Sequence, residues 1–225
     1  MKGFVITGAS RGIGRAIAIK LACEGCKIFL HGRDKKMLQE TSEKISDCGT
    51  ELILSDLSNP EGVNTILKAV GETKISVLVN NAGLAVVKPF EELTLDDWNL
   101  TFNVNVTAPF LLCKGLVKNM SEGSSIVNIL SIASKNVFTE WSSYCMSKYA
   151  FDGFAKTIRE ELRERKIRVI NIYPGPTDTD IWENVPGNWD RSSMMSPEVI
   201  ADAVKIELEQ PPNTESEDIT IINNR

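Results

Sequence analysis

Short apolar runs alternate with amphipathic stretches of helical periodicity along the whole of this 225-residue chain. The runs are rich in Val and Ile and show no polar alternation, which is typical of strands buried on both faces of a parallel sheet. Repeated strand–helix alternation predicts a doubly wound α/β sheet with helices on both faces. Seven strands are expected at about 4–7, 27–30, 52–54, 77–79, 125–130, 168–172 and 219–222. Six helices are expected at about 13–24, 35–47, 60–71, 95–120, 144–165 and 197–209.

No linker, repeat or low-complexity segment interrupts this pattern, so residues 1–225 are predicted to form one domain. A net charge of -5 argues against a nucleic-acid-binding surface, and no apolar run reaches the length of roughly 18–20 residues that spans a bilayer. Five scattered cysteines indicate a reduced, cytoplasmic protein. Cys23 and Cys26 have C-x-x-C spacing, but no second ligand pair accompanies them, so no metal site is expected.

The interval 178–196 departs from the strand–helix rhythm. It carries Trp182, Pro186, Trp189 and several turn-forming residues between the sixth strand and the last helix. Long irregular insertions in compact domains are usually functional, so the two tryptophans favour a lid over an apolar substrate. A surface loop packed by its own aromatic side chains is the alternative.

A glycine-rich turn joins the first strand to the first helix. Its residues are Thr7, Gly8, Ser10, Arg11, Gly12, Ile13 and Gly14. Glycines allow tight turning and close approach of the backbone to a pyrophosphate, and the free N–H groups of the following helix bind that anion. Because the turn follows the first strand of such a sheet, it predicts a Rossmann-type dinucleotide-binding domain.

The residues after the second strand bear on which coenzyme binds. NAD-selective proteins usually place an acidic residue there, which accepts a hydrogen bond from the ribose 2′-hydroxyl. This chain has Arg33 and then Asp34, and Arg11 lies in the glycine turn. Two guanidinium groups suit a 2′-phosphate, so NADP(H) is the preferred coenzyme, and Asp34 leaves NAD(H) possible.

Two further segments fit a dinucleotide crevice. Asp56 and Leu57 follow the third strand, where a carboxylate and the adjacent backbone are expected to meet the adenine. Asn81, Ala82 and Gly83 close the fourth strand, and their small size lets the chain pass close to a coenzyme. A plain turn would use the same Asn and Gly residues.

Tyr144 and Lys148 stand four residues apart, so they share one face of the helix expected at about 144–165. A nearby ammonium and a cationic nicotinamide favour the phenolate, so the pKa of Tyr144 is expected to fall towards neutrality. Ser131 ends the fifth strand and can hold a substrate carbonyl beside the tyrosine. The one histidine, His31, lies far upstream in an apolar stretch. These residues favour proton transfer to a substrate oxygen together with hydride transfer.

Five motifs follow one another in a recognisable order. They are Thr7-Gly8-x-x-x-Gly12-x-Gly14, Asn80-Asn81-Ala82-Gly83, Ser131, Tyr144-x-x-x-Lys148 and Pro174-Gly175. With this order the chain resembles the compact, single-domain branch of the short-chain dehydrogenase/reductase family over nearly its whole length. It is similar in particular to sepiapterin-reductase-like and 3-oxoacyl-carrier-protein-reductase-like members.

The resemblance implies a catalytic tetrad of Asn105, Ser131, Tyr144 and Lys148, with Asn103 a weaker match than Asn105. Tyr144 would be the general acid in reduction, and Ser131 would polarise the carbonyl. Lys148 would hold the nicotinamide ribose, and Asn105 would hold a water linked to Lys148. The coenzyme contacts would also include Tyr144, Lys148, Pro174, Gly175, Thr177 and Thr179, the last of these at the carboxamide.

The activity implied is hydride transfer between NADPH and a small-molecule carbonyl or secondary alcohol. Two alternatives stay open at this point: a non-catalytic NADP(H)-binding redox sensor, and an NAD-dependent secondary-alcohol dehydrogenase. The chain stops at Ile221-Ile222-Asn223-Asn224-Arg225 without the glycine-rich tail of many tetrameric members. A homodimer through the two long helices is therefore expected, with a tetramer possible.

Overall fold

A computed structural model describes residues 2–46, 48–211 and 214–224. Its strands form one parallel sheet in the order β3-β2-β1-β4-β5-β6-β7. The strands are β1 (Lys2–Ile6), β2 (Cys26–Gly32), β3 (Gly49–Leu54), β4 (Ile75–Asn80), β5 (Ser125–Ile129), β6 (Arg168–Pro174) and β7 (Asp218–Ile221). The predicted seven-stranded Rossmann-type sheet is confirmed.

Helices cover both faces of the sheet. They are α1 (Gly12–Leu21), α2 (Lys35–Glu43), α3 (Pro60–Val70), α4 (Leu95–Phe102), α5 (Ala108–Leu116), α6 (Ser142–Arg163) and α7 (Pro197–Leu208). Successive side chains of a strand point to opposite faces. Along β1, Phe4 and Ile6 therefore join the core cluster under α1, α2 and α7, whereas Val5 joins the cluster under α3 and α5.

The predicted helix at about 95–120 is one helical path with an irregular centre. A π-helical segment, Asn103–Thr107, separates α4 from α5, and a short 3-10 turn, Val117–Asn119, ends the path. Such π segments are rare and occur often at functional sites. This one holds Asn105, the predicted tetrad residue.

The same path, Leu95–Asn119, is long and apolar enough to cross a membrane, which the apolar runs of the sequence did not indicate. Half of its most apolar window is buried within the protein. Leu112, Cys113 and Leu116 of α5 belong to the core cluster that packs on the sheet. The α5 part of the segment therefore packs against the sheet in this fold.

The strand order reverses at β1, which lies between β2 and β4. Ligands of doubly wound sheets bind beyond the carboxyl ends of the strands at such a switch point. Thr7, Asn81, Ser131 and Gly175 each directly follow or closely follow a strand that ends at this edge. The fold therefore gathers the predicted motifs along one crevice.

A row of polar side chains runs across the four neighbouring strands β4, β5, β6 and β7. Asn80 donates to the Oδ1 of Asn128 (2.9 Å), and Asn128 donates to the Oδ1 of Asn171 (3.0 Å). Asn171 donates in turn to Asp218 (3.2 Å), and each pair is also in register on neighbouring strands. We call these four residues the amide row. The row joins β4, β5, β6 and β7.

The interval 178–196 is closed at its base by paired backbone. Asp178 N–H donates to the carbonyl of Met195 (2.8 Å), and Met195 N–H donates to the carbonyl of Pro176 (3.0 Å). Two short 3-10 helices, Asp180–Asn184 and Arg191–Ser193, lie between these closing bonds. The interval is thus a loop with a fixed neck, and we call it the tryptophan loop.

Candidate active site

The glycine turn has the backbone shape that its glycines predict. Gly8 and Gly12 adopt φ values of 67° and 54°, which favour glycine. A side chain at Gly14 would lie 2.2 Å from the carbonyl oxygen of Gly8, so this position must stay bare for α1 to approach the turn. The first turn of α1 carries no acidic residue and no side-chain cap, so its N–H groups and positive dipole face the crevice.

Thr7 and Asn81 hold the turn from behind. The buried Thr7 hydroxyl accepts from the backbone N–H groups of Asn81 and Ala82, both at 3.0 Å, and donates to Val79. The Asn81 amide donates to the carbonyls of Thr7 (2.9 Å) and Gly8 (3.2 Å). The side chains of these two residues thus hold the turn in place, and the predicted coenzyme contacts of Thr7 and Asn81 stay predictions.

His31 supports the same turn, which its sequence position did not indicate. Its Nε2–H donates to the carbonyl of Ser55 (3.1 Å), so its Nδ1 is free to accept from Gly8 N–H (3.4 Å). Burial lowers the pKa of His31 from 6.5 to about 4. The ring is therefore neutral at physiological pH, and it fixes the chain at Gly8.

The two predicted phosphate-binding arginines each face an aspartate. Arg11 pairs with Asp180 of the tryptophan loop at 3.0 Å, and Arg33 lies 3.9 Å from Asp56. Asp34 caps α2 by accepting from the N–H of Met37 (3.1 Å). The Asp34 carboxylate, which made NAD(H) a possible coenzyme in the sequence analysis, therefore already accepts a hydrogen bond within the protein.

Four further residues were predicted to contact the coenzyme near the adenine or at the glycine turn, and they differ in how exposed their side chains are. Asp56 also accepts from the N–H of Ser58 (2.9 Å), which shapes the loop after β3. Leu57 is buried in the core, so only its backbone is available to a ligand. Ile13 packs partly against the core, and Ser10 lies beside Gly32 at the end of β2.

Tyr144 and Lys148 lie one turn apart near the start of α6, and both are buried. The Lys148 ammonium donates to the carbonyl of Ile129 (3.0 Å) and stands 5.7 Å from the centre of the tyrosine ring. The Ser131 hydroxyl accepts from the N–H of Ala133 (3.1 Å), which orients it at the end of β5. These three predicted residues are brought together at the crevice.

Burial shifts the pKa values of this pair in opposite directions. Burial raises the pKa of Tyr144 to about 12, and a hydrogen bond with Ser131 opposes the rise. Burial lowers the pKa of Lys148 from 10.5 to about 8. The predicted fall of the tyrosine pKa assumed a cationic nicotinamide beside the phenol, so it stays a prediction for the coenzyme-bound protein, whereas burial sets the direction in the polypeptide by itself.

Asn105 lies close to this pair, with its amide fully engaged. Its Oδ1 accepts from Leu84 N–H (3.0 Å), and its Nδ2 donates to Leu84 O and to Ser147 Oγ, both at 2.9 Å. A side chain on Gly83 would lie 3.4 Å from Asn105 Oδ1 and 3.8 Å from Lys148 Nζ. The side-chain amide of Asn105 thus ties the segment after β4 to α6, and the water that the family resemblance implies at Asn105 stays a prediction.

Asn103, the weaker tetrad match, serves elsewhere. It donates to the carbonyl of Ser58 (3.1 Å) in the loop after β3. The two asparagines therefore anchor different strand-end loops to the π segment, and only Asn105 lies near Lys148.

The segment after β6 connects the crevice to the tryptophan loop. Gly175 N–H donates to the carbonyl of Ile221 (2.7 Å), next to Pro174 at the end of the strand. Thr177 is buried and donates to the carbonyl of Gly175 (3.0 Å), so its hydroxyl is structural. Thr179 lies against the glycine turn, where a side chain on Gly12 would meet it at 3.0 Å.

Aromatic side chains surround Tyr144, and sequence analysis missed the one that touches it. Trp141 meets the Tyr144 ring edge-on at a centroid distance of 5.4 Å. Trp182 lies 6.0 Å from Trp141, and Trp189 lies 4.8 Å from Trp182. The spacing of Trp141 three residues before Tyr144, at the start of the predicted helix, was the available signal.

No metal site accompanies these groups. Within residues 2–46, 48–211 and 214–224, no three or more His, Cys, Asp and Glu side chains are grouped so that they could hold a metal ion. The crevice does hold the hydroxyl, phenol and ammonium groups of Ser131, Tyr144 and Lys148.

Comparisons with known proteins agree with this geometry. A family model described as short chain dehydrogenase matches residues 2–188. An uncharacterised oxidoreductase of Staphylococcus saprophyticus is 31% identical over 224 residues, which cover 96% of this chain and 95% of the relative. One of Staphylococcus aureus is 30% identical over 221 residues, with the same two shares.

Solved structures give the same result. A short chain dehydrogenase from Burkholderia cenocepacia in complex with NADP has a TM-score of 0.89 at 28% identity, covering 98% of this chain and 96% of that one. The angucycline C-6 ketoreductase LanV with bound NADP has a TM-score of 0.86 at 27% identity, covering 98% and 94%. The similarity to sepiapterin-reductase-like or 3-oxoacyl-carrier-protein-reductase-like members stays a prediction.

Proposed function

The chain belongs to the short-chain dehydrogenase family, a family of oxidoreductases, and on that premise we propose that it transfers a hydride between NADPH and a small-molecule carbonyl or secondary alcohol. The observation that carries the proposal is the buried pair Tyr144 and Lys148. Together with Ser131, this pair lies at the same edge of the sheet as the glycine turn.

A nicotinamide dinucleotide fits the residues of the crevice. Gly8 and Gly12 leave a bare backbone at the start of α1, where a pyrophosphate would meet free N–H groups. Gly83 leaves space beside Lys148, on the side where a nicotinamide ribose would lie. When bound, the coenzyme would donate or accept the hydride.

The protein would handle the proton. In reduction, the Tyr144 hydroxyl donates to the substrate oxygen, which the Ser131 hydroxyl orients by a hydrogen bond. Because burial raises the pKa of Tyr144 to about 12, the phenol is kept protonated at neutral pH and is suited to the role of acid. A positive charge placed nearby would lower that pKa and make it easier for the phenol to donate its proton to the substrate oxygen.

Lys148 would hold the coenzyme ribose. An ammonium group has three N–H donors, and one of them is used by the carbonyl of Ile129. Two donors are left for ribose hydroxyls. Asn105 would be a positioning residue for this group, since it ties the Leu84 segment to Ser147, next to Lys148 in α6.

The preference for NADPH rests on the charges after β2. Asp34 is occupied as the cap of α2, and Arg33 is exposed beside Asp56. A guanidinium group at this position attracts a 2′-phosphate, whereas a free carboxylate would repel it. Several similar structures are described as complexes with NADP, which supports the same preference.

We propose further that the protein is a cytoplasmic homodimer. Its five cysteines are free, as expected in a reducing compartment. Exposed apolar side chains lie on the helices that follow β4 and β5: Leu95, Trp98 and Leu100 on α4, Phe110 on α5 and Tyr149 on α6. Exposed apolar side chains of this size are common at interfaces between subunits.

A coenzyme-linked assay tests the activity. The wild-type protein should oxidise NADPH in the presence of a panel of diketones, pterins and acetoacetyl thioesters, with kcat/KM well above that for NADH. Tyr144→Phe should abolish turnover while NADPH binding, measured by fluorescence titration, stays largely unchanged, because the phenol oxygen is the only group removed. Retention of about a tenth of the wild-type kcat would contradict the role of Tyr144.

The same assay separates the alternatives. Tight NADPH binding without turnover of any carbonyl or alcohol would favour a redox sensor. Equal use of both coenzymes, or preference for NADH with a secondary alcohol, would favour the dehydrogenase reading and overturn the preference for NADPH.

A further inference from the structure

We propose that the substrate is a neutral compound with a planar aromatic ring system, bound against the tryptophans beside Tyr144. This inference rests on the proposed carbonyl reduction and adds the class of substrate. It is carried by the arrangement of four aromatic rings, by how their polar groups are used, and by the charges around them.

The aromatic rings form a continuous surface that starts at the reacting phenol. Trp141 contacts Tyr144, Trp182 contacts Trp141, and Trp189 contacts Trp182, with centroid distances of 5.4, 6.0 and 4.8 Å. Phe138 adds a fourth ring beside Trp141, at 6.4 Å. Aromatic rings pair favourably at these separations, so a further flat ring meets the same geometry.

The polar groups of the tryptophan loop are turned inward. The indole N–H of Trp182 donates to the carbonyl of Thr177 (2.9 Å), and that of Trp189 donates to the carbonyl of Pro186 (3.0 Å). These bonds use the polar N–H of each ring and fix the orientation of both rings. Since the neck of the loop is closed by backbone bonds at Met195, the rings are held before any ligand arrives.

The immediate surroundings of Tyr144 are apolar as well. The phenol ring packs in a cluster with Ala133 and Cys145, and Ala85, Trp141 and Ile181 lie against that cluster. A small polar substrate would lose hydration here without gaining partners beyond the reacting hydroxyls. An extended apolar ring system loses little and gains contact area.

The charges nearby disfavour an anionic substrate. The two arginines closest to the loop are paired, Arg11 with Asp180 and Arg191 with Asp178. Glu140 and Glu183, which flank Trp141 and Trp182 in the chain, add negative charge. A carboxylate or phosphate on the outer part of the substrate would face these acids, and the guanidinium groups of Arg11 and Arg191 are already paired.

The rim of the surface is also apolar. Val137 and Phe138 precede α6, and Trp189 ends the row of rings; 78%, 44% and 42% of their respective surfaces are exposed. Exposed apolar side chains of this size would contact the outer part of a bulky ligand bound against the rings. The surface therefore fits a substrate of more than one ring.

Three ketones of graded chemistry test the inference in an NADPH-linked assay. They are 2-acetylnaphthalene, 2-butanone and 6-acetyl-2-naphthoate, which compare a flat bicyclic ketone with a small aliphatic ketone and with an anion of similar shape. We expect kcat/KM for 2-acetylnaphthalene to exceed that of each of the other two by about tenfold or more, as one good stacking contact or one unpaired charge predicts.

Variants at Trp182 give the matched control. Trp182→Ala should lower the ratio of kcat/KM for 2-acetylnaphthalene to that for 2-butanone by about tenfold, and Trp182→Phe should keep most of it, because a ring is retained. A thermal melt of each variant identifies any loss of folding. An equal fall for both ketones in Trp182→Ala would mean that the rings only pack the loop, and would overturn the inference.

The outcomes separate this inference from the function beneath it. Preference for 2-butanone or for the anionic ketone would overturn the aromatic substrate class and leave carbonyl reduction standing. If the wild-type protein reduced none of the three ketones and no other carbonyl with NADPH, both proposals would fail.

Discussion

His31 links three segments of the chain through one imidazole ring. It lies on β2, donates to Ser55 after β3, and accepts from Gly8 in the glycine turn. Protonation would place a second N–H against the N–H of Gly8, so the charged ring loses one partner as well as its hydration. This is the physical reason why the folded protein keeps the ring neutral.

A pH dependence of stability follows from that state. The pKa of His31 is 6.5 when unfolded and about 4 when folded, so the unfolded chain binds the proton more readily between these values. The free energy of unfolding should therefore be highest above pH 6.5 and fall by about 3 kcal/mol as the pH drops to about 4. Urea unfolding across this range measures the fall.

The variant His31→Gln provides the comparison, because glutamine can hydrogen-bond but does not titrate. Its free energy of unfolding should decline less over the same pH range, by about the contribution of the histidine. If the free energy of unfolding fell equally with pH in both proteins, His31 would not be the cause of the acid sensitivity, and other titratable groups would be.

Single residues differed in how well the sequence predicted them. Tyr144, Lys148 and Ser131 were found because spacing and strand ends follow from the pattern alone. The partners of Thr7, Asn105 and His31 were not found, because a hydrogen bond across segments far apart in the chain leaves no trace in local sequence. The rise of the Tyr144 pKa in the polypeptide by itself also has no sequence signature, since it depends on burial.

At the scale of elements, the tryptophan loop is tied to the coenzyme side by one ion pair. Arg11 of the glycine turn bonds Asp180, the first residue of a 3-10 helix in the loop, at 3.0 Å. Thr179 packs against Gly12 at the same point. A coenzyme phosphate that attracts Arg11 would compete with Asp180, so coenzyme binding and loop position are coupled.

Removing that competition should strengthen coenzyme binding. In Asp180→Asn, Arg11 loses its charged partner, and we expect the Kd for NADPH to fall about two- to tenfold, as for an exposed or partly exposed ion pair. Fluorescence titration measures the change. Glu183→Gln removes the same charge from the same short helix and is the control, so an equal effect in both variants would indicate a general field instead of competition for Arg11.

The helices were predicted in number and place more reliably than in detail. The expected helix at 95–120 is continuous, yet its π segment Asn103–Thr107 has no sequence signature that periodicity detects. The tryptophan loop was located by its irregular composition, but the bridge between Thr177 and Met195 that closes it joins residues whose pairing cannot be read locally.

At the scale of the whole molecule, the exposed apolar side chains on α4, α5 and α6 predict the assembly. Phe110→Glu combined with Tyr149→Glu places two charges on this surface, and we expect the protein to change from dimer to monomer. Light scattering after gel filtration measures the mass. The control is Ile206→Glu, which changes an exposed residue on α7 and should leave the mass of the dimer unchanged. If the wild-type protein were a tetramer and Ile206→Glu reduced its mass, the assembly would use α7.

The sheet was predictable because its strands are buried on both faces, and such runs of Val and Ile are hard to mistake. The doubly wound, parallel arrangement followed from the alternation of strands and helices. Polar residues inside those runs, such as Asn128 and Asn171, gave no sign of their partners. Their alignment depends on the register between strands, which only the folded chain defines.

The amide row has a consequence for how this sequence can change over evolutionary time. Asn128 accepts from Asn80 and donates to Asn171, so replacing it alone by Leu leaves polar atoms of two buried neighbours without that partner. Replacing several members together would leave fewer such orphans, so the costs are not additive. Sequences in which only one member of the row has been replaced are therefore expected to be the least stable. We therefore expect single substitutions in the row to be selected against, so that its positions change together during evolution.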